Sequence, residues 1–228
     1  MKKSILILLF FAISSNLLAQ NAWSVYEWKV KPENVSTVLN ICDEYLSQEG
    51  NVTEGTTIAL YEIMFAGKGF DATHTLNIYG DMESMNNGYN KAQKADWFLF
   101  LTQLNQFIEP VASLAGRAIK AYNENDDSDP IHQLWLMNVS NSSKFLNSWT
   151  ELRDKFPPSN FLELGTIVSG REEGITHYVL SSQKDFKDLV EGSNDSKAES
   201  DAWAQFRAER GETKLVRSFA RRLVKKWK

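Results

Sequence analysis

The feature that most constrains the fold is an internal repeat. The segment VASLAGRAIKAY, which begins at Val111, aligns with VRSFARRLVKKW, which begins at Val216. Further matches follow the same order along the chain: Trp97 with Trp203, Gly67 with Gly170, and His74 with His177. Ordered matches at a nearly constant offset indicate a tandem duplication. The fold must therefore be built from two similar units, each about half of the chain.

The boundary between the two units is predicted at residues 123–130, NENDDSDP. This run is acidic, lacks large apolar side chains and ends in Pro130, a composition typical of a connecting loop. We therefore predict a first repeat at residues 20–122, an acidic linker at 123–130 and a second repeat at 131–228.

The amino terminus has the features of a secretory signal peptide. Lys2 and Lys3 precede an apolar run from Ile5 to Ile13, and a more polar stretch leads to Ala19, after which we predict cleavage. The apolar run is shorter than the roughly 20 residues that a spanning helix needs, and no later segment approaches that length. Residues 1–19 are thus a predicted signal peptide, and the sequence predicts a secreted or periplasmic protein with no stable membrane span.

Charge and cysteine content narrow the classes of partner. The whole sequence has a formal net charge of −4, and loss of residues 1–19 removes lysines but no acid, which makes the mature chain more acidic. An acidic chain is a poor general partner for nucleic acid. Cys42 is the single cysteine, and its helical spacing with Val38 and Leu46 predicts burial. We expect a monomer or homodimer with a small-molecule ligand and no nucleic acid partner.

Hydrophobic periodicity gives both halves the same order of elements. In the first half, a strand at 22–30 precedes a helix opened by Pro32, two strands joined by a short Gly-containing turn, a longer helical region and a last strand. We expect the longer helical region to break at residues 86–88 and the last strand to begin at Ser113, after Pro110. The second half repeats this order, with strands at 131–139, 161–169, 174–182 and 215–227. Each half therefore reads βαββαβ.

The βαββαβ order describes the ferredoxin-like unit, an antiparallel sheet with both helices on one face. The strands carry apolar side chains at both parities, as Tyr61 and Ile63 against Leu60 and Met64 show. Both faces of each sheet therefore need burial. The predicted fold class is α+β: a tandem duplication of the ferredoxin-like unit, with two antiparallel sheets packed face to face as a pseudo-dimeric α+β barrel.

With this element order and duplication, residues 22–228 resemble the dimeric α+β-barrel superfamily in its fused, two-repeat form. That superfamily includes quinone-forming and haem-degrading monooxygenases, chlorite dismutase-like haem enzymes and many small proteins of no established activity. The resemblance makes haem a cofactor to consider.

Candidate ligand contacts come from polar residues in the strand-like runs. Arg117 and Arg222 occupy equivalent positions of the repeat, where a buried arginine needs an anionic partner. Two sources are open: a strand acid such as Glu27, Glu62 or Glu163 in a structural ion pair, or the carboxylate of a ligand. Asn77 and Tyr79 lie on the more polar face of their strand, which a wet cavity would use. The candidate ligand-binding residues are therefore Arg117, Arg222, Asn77, Tyr79 and Glu62.

The two histidines of the Thr-His pairs fall on the apolar parity of their strands. His74 shares that parity with Leu76 and Ile78, so both imidazoles are expected to be hydrogen-bonded within the core. The alternative is a neutral base, a hydrogen-bond donor or a haem ligand, although the iron-binding histidines of the resembled enzymes lie on helices. Trp97 and Trp203 indicate core-facing helices. His74, His177, Trp97 and Trp203 are therefore secondary site candidates.

Motif content assigns no reaction. The chain lacks G-x-S-x-G, H-E-x-x-H, C-x-x-C and nucleotide-binding loops, and one cysteine with three separated histidines disfavours a metal site. Whether the protein is an enzyme stays open, and no catalytic residue is assigned. The sequence favours an exported protein that binds a small, partly apolar or carboxylate-bearing ligand between its sheets. The alternatives are a monooxygenase-like or haem-dependent enzyme that uses the same cavity, and an interaction module without a ligand.

Overall fold

The computed structural model describes residues 21–91, 95–124, 129–171, 174–191 and 196–228. The predicted signal peptide, Met1–Ala19, and residues 125–128 of the predicted linker lie outside this part of the chain. Among the described residues, no helix combines the length and hydrophobicity that a membrane crossing requires.

The two halves show the same order of elements. The first half comprises β1 (Asn21–Val30), α1 (Val35–Leu46), β2 (Thr56–Ala66), β3 (His74–Asp81), α2 (Met82–Lys91), α3 (Ala95–Leu104) and β4 (Ile108–Tyr122). The second half comprises β5 (Ile131–Val139), α4 (Ser142–Lys155), β6 (Leu162–Ser169), β7 (His177–Gln183), α5 (Phe186–Glu191), α6 (Lys197–Glu209) and β8 (Thr213–Trp227). The second helical region of each βαββαβ unit is thus divided into two helices.

The eight strands form one closed antiparallel barrel in the order β1-β3-β2-β8-β5-β7-β6-β4. Each half contributes four neighbouring strands, and the halves join edge to edge where β2 pairs with β8 and β4 pairs with β6. The predicted fold class is confirmed, and the two sheets that face each other are continuous at both edges. Closure pairs the backbone groups that open sheet edges would leave exposed.

The helices cover the outside of the barrel. Val38, Cys42 and Leu46 repeat at the four-residue spacing of one helix face, and with Phe100 they pack on the outer face of the first half, around Leu76. Phe145, Trp149 and Phe206 form the corresponding layer of the second half. Trp97 on α3 and Trp203 on α6 lie at the margins of these two clusters, so the repeat matches element to element.

Two local predictions in the first half are wrong. Helix α2 continues through residues 86–88, because Met85 is buried on its inner side and one glycine costs a helix only about 1 kcal/mol. Strand β4 begins at Ile108 rather than Ser113 and includes Pro110. Pro110 pairs with Trp28 next to a register shift in the β1–β4 ladder, which is where a strand tolerates a residue without an N–H donor.

Candidate functional site

A cavity of about 180 Å³ lies inside the barrel. Its walls are mostly apolar and come from both halves: Val25, Leu114, Leu134, Leu136, Ile167, Leu180 and Phe219. Its polar lining is smaller and includes Glu27, Asn77, Tyr79, His132, Glu163, Tyr178 and Arg221, with Asn21 and Glu124 as well. A concave apolar space with a few convergent polar groups is the usual form of a small-molecule site.

Arg221 on β8 places a cation in this cavity. The residue is 3% exposed, and its Nη1 donates to Asn77 Oδ1 at 2.9 Å and to Thr75 Oγ1 at 3.3 Å. Its guanidinium carbon lies 4.1 Å from the ring centroid of Tyr61. Within the described part of the chain, Nε has no hydrogen-bond partner and no carboxylate lies within ion-pair distance of the group. Burial lowers the pKa of Arg221, because a poorly compensated charge is costly in an apolar interior.

Arg217, two inward positions earlier on β8, has a carboxylate partner. Its Nη2 donates to Glu27 Oε1 at 2.7 Å and its Nη1 donates to Glu27 Oε2 at 3.3 Å. Glu27 is 1% exposed, and the guanidinium also lies over the Phe70 ring at 4.5 Å. This is the bidentate geometry that makes a buried arginine and carboxylate compensate each other. The Arg217–Glu27 pair holds no net charge. Among the described residues, Arg221 is therefore the buried arginine without a carboxylate at ion-pair distance.

His132 on β5 lies directly across the β5–β8 ladder from Arg221. Its ring centroid is 5.0 Å from that of Tyr61, and its buried Nδ1 has no hydrogen-bond partner among the residues that the structure describes. Burial, together with the charges of Arg221 and Lys226, holds the pKa of His132 well below its usual value. A neutral imidazole beside an arginine can donate one hydrogen bond without adding a second charge.

A second polar group is built from Trp23, Tyr178 and Glu163. Trp23 Nε1–H donates to the Tyr178 hydroxyl at 2.7 Å, and that hydroxyl donates to Glu163 Oε1 at 2.5 Å. Burial raises the pKa of Glu163 to about 7; the Tyr178 hydrogen bond opposes this effect, and the nearby Glu124 adds to it. Two glycines make room for these rings. A Cβ atom at Gly116 would lie 2.4 Å from the Trp23 ring, and a Cβ atom at Gly165 would lie 2.3 Å from the Tyr178 ring.

The polar lining does not follow the internal repeat. Trp23 pairs with Gly116 in the β1–β4 ladder, and His132 pairs with Arg221 in the β5–β8 ladder. These two pairs occupy the same place in the two repeats. Trp23 is therefore equivalent to His132, and Gly116 is equivalent to Arg221. The same comparison sets each remaining interior polar group against a residue of different chemistry: Arg217 against Ala112, Glu27 against Leu136, Asn77 against Leu180, Glu163 against Ala59 and Tyr178 against Thr75. The interior of the barrel has therefore diverged between the halves.

The helix-facing side kept the two Thr-His pairs. His74 and His177 occupy equivalent places under the helices, and both Nδ1 atoms contact the preceding threonine hydroxyl, at 3.0 and 2.8 Å. Each threonine hydroxyl also accepts a backbone N–H from the end of the neighbouring strand. His177 Nε2 contacts the Ser142 hydroxyl as well. Burial lowers the pKa of both histidines. Because the same hydrogen bonds link neighbouring strands in both halves, the Thr-His pairs are structural contacts that the two repeats share.

Of the sequence-predicted site residues, Asn77 and Tyr79 line the cavity. Arg222 and Glu62 lie on the outer surface, where Arg222 Nη2 donates to Glu62 Oε2 at 2.8 Å. For Arg222, the structure therefore has the ion pair with a strand acid, which was one of the two interpretations open from the sequence. Arg117 is exposed on β4 and also lies outside the cavity lining. The expectation of inward arginines at 117 and 222 is corrected because the inward positions of β8 are 217, 219 and 221. Trp97 and Trp203 pack with neighbouring aromatic rings outside the barrel.

Sequence reasoning missed Arg217, Arg221, His132, Tyr178 and Trp23, and it considered Glu163 only as an ion-pair partner. It concentrated on residues that the two repeats share, and those proved to be structural. The signal that could have found the cavity is a charged residue aligned with glycine or alanine, as Arg221 is with Gly116.

No protein-family profile and no curated protein sequence matches this chain. Solved structures do match. A candidate monooxygenase from Fusobacterium nucleatum has a TM-score of 0.61 at 16% identity, covering 92% of this chain and 95% of its own. An anthrone oxidase-like protein has a TM-score of 0.55 at 11% identity, with coverages of 91% and 92%. These likenesses show a shared fold, the closed antiparallel α+β barrel. A chlorite dismutase variant from Candidatus Nitrospira defluvii, in complex with cyanide, has a TM-score of 0.54 at 9% identity, with coverages of 90% and 91%.

Haem does not fit the barrel cavity. The space of about 180 Å³ is below the roughly 300–1,000 Å³ of pockets that hold drug-sized ligands, and haem is larger than those. His74 and His177 lie outside the barrel, and the imidazole that does line the cavity, His132, lies beside the Arg221 cation, which disfavours a metal ion.

Proposed function

We propose that the protein binds a small organic anion, a carboxylate with an apolar body of about one ring, inside its barrel. The observation that carries this proposal is Arg221: a buried guanidinium in an apolar cavity whose Nε has no hydrogen-bond partner and which has no carboxylate within ion-pair distance among the described residues. Burying such a charge is costly unless an anion compensates it. A ligand carboxylate would supply that anion.

The size of the cavity supports the single-ring body. An engineered protein cavity of about 150 Å³ with apolar walls binds benzene, and the barrel cavity of about 180 Å³ is slightly larger. Leu134, Leu180 and Phe219 provide the apolar contact surface. Because both halves of the barrel belong to one chain, the site is complete without a second copy.

The carboxylate would lie at the corner formed by Arg221 and His132. Arg221 Nε and His132 Nδ1 are the buried atoms without partners there, and the two residues are direct register partners. A hydrogen bond between charged groups contributes about 1.5–3 kcal/mol. A neutral ligand of the same shape should therefore bind at least about tenfold more weakly.

Calorimetric titration of the mature protein with benzoate and with benzamide, its neutral isostere, tests this proposal. We expect benzoate to bind at least about tenfold more tightly than benzamide. Arg221→Met should abolish this preference. The matched control Arg222→Met, which alters only the outer-surface pair with Glu62, should retain it. Equal binding of the two ligands, or unchanged benzoate affinity in Arg221→Met, would refute an anion site at Arg221. The absence of binding by either ligand would favour the interaction-module alternative.

A monooxygenase-like activity in the same cavity is the second candidate function. The observation that favours it is Glu163, whose pKa of about 7 suits a group that accepts and returns a proton at neutral pH. Glu163 would take the proton of a phenol-type substrate, and the Tyr178 hydroxyl would hold its carboxylate in place. Oxygen-electrode measurements with a hydroquinone should then show consumption by the wild type and its loss in Glu163→Gln. Identical rates in the two proteins would exclude this role.

We also propose that the protein acts outside the cytoplasm, which the character of residues 1–19 supports. Intact-mass analysis of protein recovered from its own cells should give a chain that begins at Gln20 or Asn21. A soluble cytoplasmic form that retains Met1 would contradict export.

A further inference from the structure

We propose that the bound carboxylate carries a hydrogen-bond donor, such as a phenolic hydroxyl, at the end opposite its anionic group, and that Glu163 accepts the hydrogen bond from it. This inference rests on the proposed function, because it adds a second contact to the same cavity. It names the ligand class more narrowly, as hydroxylated single-ring acids.

The contacts of Glu163 leave room for such a donor. A carboxylate accepts several hydrogen bonds, and Glu163 lines the cavity with Oε1 engaged by the Tyr178 hydroxyl. No other hydrogen bond of Glu163 occurs within the described part of the chain. The equivalent position of the first half is Ala59, which is fully buried. The fold therefore does not require a carboxylate at this position.

Tyr178 positions Glu163 but cannot itself recognise the donor. Its hydroxyl proton goes to Glu163, and its oxygen already accepts from Trp23 Nε1–H. Trp23 and Tyr178 are in edge contact at 5.0 Å between ring centroids, and both rings lie against the glycines at 116 and 165. This packing fixes the direction of the carboxylate, so that Oε2 is the acceptor left for a ligand.

The two polar groups lie on separate parts of the barrel wall. From β8, which carries Arg221, the order runs through β5 and β7 to β6, which carries Glu163. Three strand steps of about 4.8 Å separate β8 from β6 by roughly 14 Å around the wall. Both side chains extend inward and shorten that separation, while Leu134 and Leu180 lie between them on β5 and β7. An acid with a polar group at each end of an apolar ring matches this arrangement.

Titration of the mature protein with benzoate, 4-hydroxybenzoate and 4-methoxybenzoate tests the inference. In the wild type we expect 4-hydroxybenzoate to bind about tenfold more tightly than benzoate, and 4-methoxybenzoate, which lacks the donor, to show no gain. Glu163→Gln should reduce the gain from the hydroxyl to less than about threefold and leave benzoate affinity within about threefold of wild type. The control Glu62→Gln, which removes a carboxylate from the outer surface, should keep the full gain.

The gain should also grow between about pH 5 and pH 8 in the wild type and stay constant in Glu163→Gln, because only the ionised carboxylate accepts in this way. The titratable groups that face Glu163 are Tyr178 and Glu124, and the charge of Arg221 acts on Tyr178. Benzoate binding without any gain from the hydroxyl, or an equal gain in Glu163→Gln, overturns the inference and leaves the anion site intact. Failure of benzoate to bind the wild type overturns the proposed function itself.

Discussion

Replacement of Glu163 by Gln should stabilise the protein at neutral and alkaline pH but not in acid. Glu163 is partly buried in the barrel beside Tyr178. Burial raises the pKa of this carboxyl from 4.5 to about 7, so folding favours its protonated form. The stability associated with Glu163 is therefore fully present below about pH 4.5 and is lost as pH rises through 7. Gln has nearly the same shape, accepts the Tyr178 hydrogen bond and does not ionise.

The size of the effect follows from the two pKa values. They differ by about 2.5 pH units, and each unit corresponds to about 1.4 kcal/mol. Above pH 7 the ionised Glu163 should thus cost the folded state on the order of 3 kcal/mol compared with acid conditions. The difference in unfolding free energy between Glu163→Gln and wild type should rise by that amount from about pH 4.5 to pH 8.

Urea unfolding of both proteins across this pH range measures the difference, and subtraction cancels the titration of all other groups. Glu62→Gln is the matched control, because it removes an equal charge from the outer surface, where Glu62 pairs with the half-exposed Arg222. Its difference from wild type should stay within about 1 kcal/mol. A difference for Glu163→Gln that is flat from acid to alkaline pH would refute the reasoning, since Glu163 would then be solvated like a surface residue.

Four substitutions separate the roles of the interior and helix-facing residues. Arg217→Met should lower the free energy of unfolding by about 3–5 kcal/mol, because it removes the bidentate partner of buried Glu27, whereas Arg221→Met should be neutral or stabilising by urea unfolding. His177→Leu should lower the free energy of unfolding by about 1–3 kcal/mol, because it removes the contacts with Thr176 and Ser142. Benzoate affinity, measured by titration, should stay unchanged. A tenfold loss of binding would place this histidine in the site. Gly165→Ala should cost about 1–3 kcal/mol and alter the near-ultraviolet circular dichroism of Tyr178, because the new methyl group would overlap that ring.

The fold was predictable because its determinants are local and repeated. Helical and strand periodicities fix the βαββαβ order, and apolar residues at both parities require that both faces of the sheets be buried. Edge closure through β2–β8 and β4–β6 depends on long-range pairing, which no single segment encodes. The predicted break at residues 86–88 is wrong because burial of Met85 offsets the cost of Gly88 within helix α2.

The candidate site was harder to predict than the fold, because the strands carry apolar residues on both faces. When both faces of a strand are apolar, parity separates two sets of residues but does not say which set faces the barrel axis. Register shifts in β8 opposite Leu60/Tyr61 and Ile63/Phe65 further weaken alternation as a guide. Asn77 and Tyr79 were found because one face of β3 is visibly more polar. Arg221 was missed because its neighbour Arg222 has a counterpart in the other repeat.

Fusion of the two repeats explains how one buried arginine can occupy the barrel. In a homodimer of a single repeat, each inward side chain would occur twice around the symmetry axis, so an arginine at the position of Arg221 would face a second cation across a narrow cavity. Like charges at short range in an apolar interior repel strongly. In the single chain, the equivalent position is Gly116, whose missing side chain makes room for the Trp23 ring that holds Tyr178. The glycine that avoids a second buried cation thus also makes room for the support of Glu163. A cavity with one cationic corner and one acceptor wall would hold the proposed ligand in a single orientation, which a symmetric barrel could not specify.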